Sequence, residues 1–201
     1  MSTELEIINA MLAAVGSNGV TSTVGRHPAL IKAQPILTRT NAQVQNYGHW
    51  FNTDRGLTLL PDAQDEFVIP QQTLRCDTSN KKLPYVRRGR RMYDPNKQTY
   101  RLEEASLDVD VVIQLDYELL PFAAWDLIRA KAVWQMLIAA EADQITLQAA
   151  KEDVTETERF FQRERRSQAD TSLRDNPEYA YIISGLPKSR GRSTNPQYIG
   201  G

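Results

Sequence analysis

The nine residues Leu107-Asp108-Val109-Asp110-Val111-Val112-Ile113-Gln114-Leu115 decide the fold class. Leu107, Val109, Val111, Ile113 and Leu115 alternate with Asp108, Asp110, Val112 and Gln114. A period of two puts the first set on one face of a strand. One apolar face and one wet face point to a half-buried antiparallel sheet. Upstream, over residues 51–106, turn residues recur every eight to twelve positions, with β-branched and aromatic residues between them. This spacing predicts short strands at Leu57–Leu60, Phe67–Ile69, Thr73–Cys76, Tyr85–Arg88, Arg91–Tyr93 and Thr99–Leu102. Asp94-Pro95-Asn96-Lys97 reads as the hairpin turn between the last two.

On either side of this region the period becomes helical. Near the start, Leu5, Ile8, Leu12 and Val15 fall at spacings of three and four. Thr3 and Glu6 form a capping box there, and Gly16 sits where a helix-ending glycine belongs. A Gly-, Ser-, Asn- and Thr-bearing loop over residues 17–27 leads to a second helix from Pro28 to about Tyr47, ended by Gly48. Leu37, Val44 and Tyr47, with Leu30 or Ile31, should form its buried face, and Pro35 should kink it or mark its true start. After the strands, Pro121 opens a segment with Phe122, Trp125, Ile128, Ala132, Trp134, Leu137 and Ile138, apolar on more than one side and so central. A long polar helix follows from Asp143 to Arg174, with Leu147, Val154 and Phe161 recurring every seven residues. Its first half is acidic (Glu152, Asp153, Glu156, Glu158) and its second basic (Arg159, Arg163, Arg165, Arg166), as the helix dipole favours.

The expected fold is α+β: an antiparallel helical bundle (1–50 with 119–174), a small antiparallel β domain (51–118) inserted between helices 2 and 3, and an extended C-terminal arm (175–201). The arm carries Pro177, Pro187 and Pro196, four glycines from Gly185 onward, and no acid after Glu178.

Composition narrows the function. Of 201 residues, 41% are apolar and 24% charged, ordinary for a folded domain. Lys plus Arg number 24 and Asp plus Glu 25, so the net charge is -1. That balance argues against a general nucleic-acid coat and against docking on an anionic membrane. No apolar run approaches the roughly 18 residues of a membrane helix. The first residues, Met1-Ser2-Thr3-Glu4-Leu5-Glu6, show no basic leader. A single cysteine, Cys76, allows no internal disulfide or Cys-based zinc site and suggests a reducing compartment. No metal or cofactor is expected.

Catalytic motifs are absent: no G-x-S-x-G elbow, P-loop, G-x-G-x-x-G or H-E-x-x-H occurs. Asp108 and Asp110, about 7 Å apart along one strand face, could serve a glycan-cleaving enzyme. The same pair also suits any amphipathic strand. Lys81, Lys82, Arg87, Arg88, Arg90 and Arg91 fall within 11 residues, with Tyr85 and Tyr93 nearby. Three readings remain open: a DNA-binding module gripping phosphates and bases, a charged hairpin edge that blocks stray strand pairing, or a contact with an acidic face on a neighbouring subunit. His49, Trp50 and Phe51 are expected to be core at the domain boundary, with contact to a partner chain as the alternative.

An ordered set of short motifs carries a resemblance. It comprises Gln45, Gly48-His49-Trp50-Phe51-Asn52, Leu57-Thr58-Leu59-Leu60-Pro61-Asp62, Pro70, Leu74 and Asp77. Tyr85-Val86-Arg87-Arg88-Gly89, Met92-Tyr93-Asp94, Asp116-Tyr117-Glu118, Leu120-Pro121, Ala130 and Ala132 complete it. Over residues 5 to 170 the chain resembles the tail tubular protein A family of short-tailed, podovirus-type phages. Family members usually carry Gly-Trp at the end of the second helix; here His49 stands between Gly48 and Trp50. The resemblance implies a structural virion protein, not an enzyme, located at the head–tail junction and made in the host bacterial cytoplasm. It implies self-assembly as a dodecameric ring, with the portal protein and the tail tube nozzle protein as partners. Viral double-stranded DNA would pass transiently through the channel for genome retention and ejection. Candidate interface residues are Trp50, Phe51, Arg87, Arg88, Arg90, Arg91, Tyr179 and Tyr181, the last two on an arm that could clasp a neighbour or the portal.

Overall fold

Local chemistry sets the first helix, α1 (Glu4–Ala14). The Glu6 N–H donates to Thr3 Oγ1 at 3.3 Å and the Thr3 N–H donates to Glu6 Oε2 at 2.8 Å, so the capping box forms as expected. At the other end the Ser17 and Gly16 N–H groups donate to the Leu12 and Ala13 carbonyls at 2.9 and 3.0 Å. Gly16 has φ +70°, the left-handed conformation that this stop requires. The protein is described by a computed structural model covering residues 3–24 and 28–174; residues to Arg165 form one compact unit and those from Arg166 a second.

Helix α2 (Pro28–Gln45) runs through Pro35. Proline lacks the N–H that would reach the Ile31 carbonyl, but both residues lie on the exposed side, where water can serve that carbonyl. Leu30, Leu37 and Val44 are buried. Tyr47 is not part of that face. The helix ends two residues before it, and the ring is 77% exposed. Ile31 is likewise exposed.

Five strands follow: β1 (Thr53–Leu59), β2 (Thr73–Thr78), β3 (Val86–Arg88), β4 (Arg91–Tyr93) and β5 (Leu107–Ile113). β5 is the centre of a three-stranded antiparallel sheet in the order β1-β5-β2, with Leu57 opposite Val109 and Cys76 opposite Val111. The alternation holds through Val111; then Val112 is buried as well. Gly56, at φ +64°, sits in the register shift of β1. β3 and β4 form a separate hairpin turned at Gly89 and Arg90.

Phe67–Ile69 and Thr99–Leu102 make only single bridges rather than strands. Ile69 donates to the Arg90 carbonyl and Phe67 accepts from Met92, but Pro70 has no N–H to extend the ladder. The Asp94 turn forms as expected, with Asp94 Oδ1 accepting from the Asn96 and Lys97 N–H groups at 2.8 and 3.2 Å.

Asp116–Leu120 contains one turn of 3-10 helix and leads into α3 (Phe122–Ala139). α3 buries Ala123, Ala124, Leu127, Ile128, Ala130, Ala132, Met136 and Leu137. This breadth fits its central place, and the small alanines permit close helix approach. Phe122 and Ile138, at its two ends, are instead exposed. Glu141, at φ +53°, reverses the chain in the role that glycine plays after α1. Asp143 then caps α4 (Gln144–Arg174) by accepting from the Ile145 and Thr146 N–H groups at 3.0 Å each.

Two apolar clusters result. One joins α1, α2 and α3 with Phe161 of α4. The other packs Leu59, Cys76, Leu107, Val109 and Val111 of the sheet under Phe67, Ile69, Met92 and Leu102.

Candidate assembly interface

The bundle and the sheet meet at buried amides. Gln45, fully buried, donates through Nε2 to Asn41 Oδ1 at 2.7 Å and to the Leu115 carbonyl at 3.0 Å. Its Oε1 accepts from the Leu115 N–H at 2.8 Å. Asn52 Nδ2 donates to the Gln45 and Ile113 carbonyls at 3.0 Å each, and its Oδ1 accepts from the His49 N–H at 2.8 Å. Two amide side chains thus tie the end of α2 to the end of β5. Gly48 makes the turn between them possible. It has φ +75°, and a Cβ there would lie 3.0 Å from Val112 Cγ2 and 3.2 Å from Arg75 Nη2.

The aromatic residues of the same turn pack together. The His49 ring lies edge-on to Phe161 with centroids 4.9 Å apart, and Trp50 lies 5.1 Å from Phe51 and 5.5 Å from Phe161. Trp50 and Phe51 are half-buried against the bundle core. Sequence reasoning missed the part played by Gln45 and Asn52. The signal was present: Asn41 and Gln45 interrupt the apolar stripe of Leu37 and Val44 with amides.

His49 Nε2 lies 2.9 Å from the Val44 carbonyl. Burial holds its pKa below the ordinary histidine value; that carbonyl opposes the shift, and the Arg165 charge adds to it. As pH falls below about 6.5, the unfolded chain takes up a proton that the folded chain resists. Stability present above that pH is therefore lost as pH falls toward the folded value. Urea midpoints should fall between about pH 7 and pH 5, and His49→Gln should flatten the slope there. Glu4, whose carboxyl burial raises, titrates in both proteins and cancels from the comparison. An equal slope in the variant would refute the assignment.

The basic hairpin is largely engaged with its own fold. Arg87 Nη1 donates to the Leu74 carbonyl at 2.8 Å and its Nε donates to Gly89 at 2.9 Å. The Arg88 guanidinium lies 3.6 Å above the Tyr93 ring. Arg91 Nη1 is 2.5 Å from Glu66 Oε2. Arg90 is exposed. Nearby, the Tyr85 hydroxyl donates to Glu104, and burial raises the phenol pKa. Tyr179 and Tyr181 lie outside the described residues.

The carboxylates of β5 have structural partners. Asp108 Oδ1 accepts from Thr58 Oγ1 at 2.7 Å; Asp110 Oδ1 accepts from Ser79 Oγ at 2.7 Å and from the Gly56 N–H at 3.0 Å. The Ser79 bond, then the Gly56 bond, holds Asp110 below its ordinary pKa. A glycosidase general acid needs the opposite shift. Cys76 is buried 3.9 Å from Met92 Sδ, and burial pushes its thiol up to about 11. It fills space rather than presenting a nucleophile. Among the described residues, no three His, Cys, Asp or Glu side chains are grouped to hold a metal ion, and no helix is long and apolar enough to cross a membrane.

Apolar surface is exposed at the start of α3. Leu119 and Phe122 are 65% and 62% exposed, and Phe122 stacks on Trp125 at 6.0 Å. Such a pair of large side chains suits contact with another protein.

The comparison with curated proteins found no match. The family profile described as "Tube: Tail tubular protein" matches residues 5–174, from Leu5 in the first turn of α1 to the end of α4, and so spans the strands between them. The chain therefore belongs to the tail tubular protein family and is a structural protein of the phage tail.

Proposed function

We propose that this protein is the head-to-tail adaptor of its virion, a ring of copies joining the portal protein to the tail nozzle protein, with the genome passing through its channel. The observation that carries this reading is the family match, which spans the helices and the strands alike. The chemistry of the surface supports it. Leu119 and Phe122 present apolar area suited to a protein neighbour. Three of the four hairpin arginines already have partners within the fold, at Leu74, Tyr93 and Glu66. Near-zero net charge suits a conduit through which DNA must slide. In this reading residues 1–50 with 119–174 form the ring scaffold, and residues 51–118 form the lateral or tailward surface. Trp50 and Phe51 support the junction from within, and Arg90 is the hairpin arginine best placed to meet an acidic neighbour.

Sedimentation of the purified chain, alone and mixed with the portal protein of the same virus, tests the proposal. One large complex holding both proteins is expected. A chain that stays separate from the portal at all concentrations would overturn it.

A further inference from the structure

A groove of about 830 Å³ lies between the end of α2, the middle of α3 and α4. Val44, Leu127 and Phe161 supply its apolar lining, and Thr40 and His49 its buried polar groups. Thr40 and His49 are 3% and 7% exposed, yet Thr40 Oγ1 and His49 Nδ1 have no hydrogen-bond partner. The Val44 carbonyl can only accept, so His49 Nε2 carries the ring proton and Nδ1 is a bare acceptor. Both atoms are closed to solvent, so an occupant meets the apolar lining and the polar side chains of the rim, Gln43, Asn46 and Gln162. That occupant must bring apolar bulk together with a hydrogen-bonding group.

We propose that the groove seats the Tyr179-Ala180-Tyr181-Ile182-Ile183 segment of a neighbouring copy of this chain. A tyrosine supplies a ring for the apolar lining and a hydroxyl for the polar rim of Gln43, Asn46 and Gln162. The chain beyond the described residues, 175–201, gathers two tyrosines and two isoleucines within these five positions. Asp175 and Glu178 precede them, and the groove rim carries Arg165 together with the Lys131–Glu158 pair. A groove and its complement on one chain make a heterologous contact, the kind that closes rings. The inference rests on the ring reading given above, and it names what joins adjacent copies.

Disulfide trapping in the full-length chain tests it. Gln43→Cys places a thiol on an exposed position of the groove wall, and Tyr181→Cys places one on the segment. Asn46→Cys serves as a second wall position, and Ile145→Cys, exposed on α4 away from the groove, as the control. Buried Cys76 does not compete. Two chains, each with one introduced cysteine, are mixed, with and without portal protein, and oxidised gently. Linked pairs of Tyr181→Cys with Gln43→Cys or Asn46→Cys, at least tenfold above those with Ile145→Cys, are expected. A portal complex that sediments as a ring but yields no such pairs overturns the groove assignment and leaves the ring reading intact. Groove-specific pairs without any portal complex support the assignment and count against the adaptor reading. A Gln43→Cys/Tyr181→Cys double variant that links only within one chain also overturns the assignment to a neighbour.

Discussion

Gln45→Leu should destabilise the protein by about 3 to 4 kcal/mol, although leucine matches the surrounding core in size and polarity. The substitution removes three hydrogen bonds and leaves their partners behind: the Leu115 N–H, the Leu115 carbonyl and Asn41 Oδ1. Each partner stranded away from water costs about 1 to 3 kcal/mol, toward the lower end where it is only partly buried. The gain from burying leucine, about 1.5 to 3 kcal/mol relative to exposure, offsets part of that sum. Gln45→Glu should be worse, because it sets a carboxylate against the Leu115 carbonyl and Asn41 Oδ1 in a site with no solvent access. Urea unfolding at neutral pH measures both. A Gln45→Leu loss below about 1 kcal/mol would mean that the amide junction contributes nothing beyond its volume.

Phe161→Ala should cost about 3 to 5 kcal/mol, the range for removing a buried aromatic ring. Phe161 is 1% exposed and packs on His49, Trp50 and Phe51 at once. It is the only large apolar side chain of α4 that is fully buried among the described residues. Among the described residues, the ion pairs from α4 to α3 are Arg129–Asp153 and Lys131–Glu158 at 3.3 and 3.4 Å, partly exposed and worth about 0 to 1 kcal/mol each. These contribute little beside the buried ring. Trypsin should therefore cut at Lys151, Arg159 and Arg163 much faster in Phe161→Ala than in the parent chain. Phe160→Ala, at a position 36% exposed, should stay within about 1 kcal/mol of it. Equal trypsin rates in Phe161→Ala and the parent would show that α4 is anchored elsewhere.

The parts of the fold that could be read from the sequence are those set by local chemistry. The alternation of residues 107–111 predicts a strand, and the sheet centres on it. Thr3 with Glu6, Gly16, and Asp94 with its turn each carry their own hydrogen-bonding logic and form as expected. The misses share a different cause. Pro35 is tolerated because its side of α2 faces water, which only the packed structure decides. Tyr47 is exposed because the helix stops at Gln45, and it stops there because Gln45 and Asn52 engage β5. Phe67–Ile69 has strand composition but makes only isolated bridges, to Pro61 and to Arg91, before Pro70. Glu141 takes the left-handed turn without the glycine that would announce it. The candidate interface divides in the same way. Trp50 and Phe51 were legible as boundary aromatics, whereas the partners of Arg87, Arg88 and Arg91 come from Leu74, Tyr93 and Glu66, whose proximity tertiary folding creates.

Electron cryo-microscopy of the intact virion should show a ring of copies of this fold directly beneath the portal, with the helices and the β1-β5-β2 sheet recognisable in each copy and DNA density on the ring axis. A virion in which this chain lies away from the head–tail junction, or in which portal and nozzle touch with no ring between them, would contradict the adaptor reading.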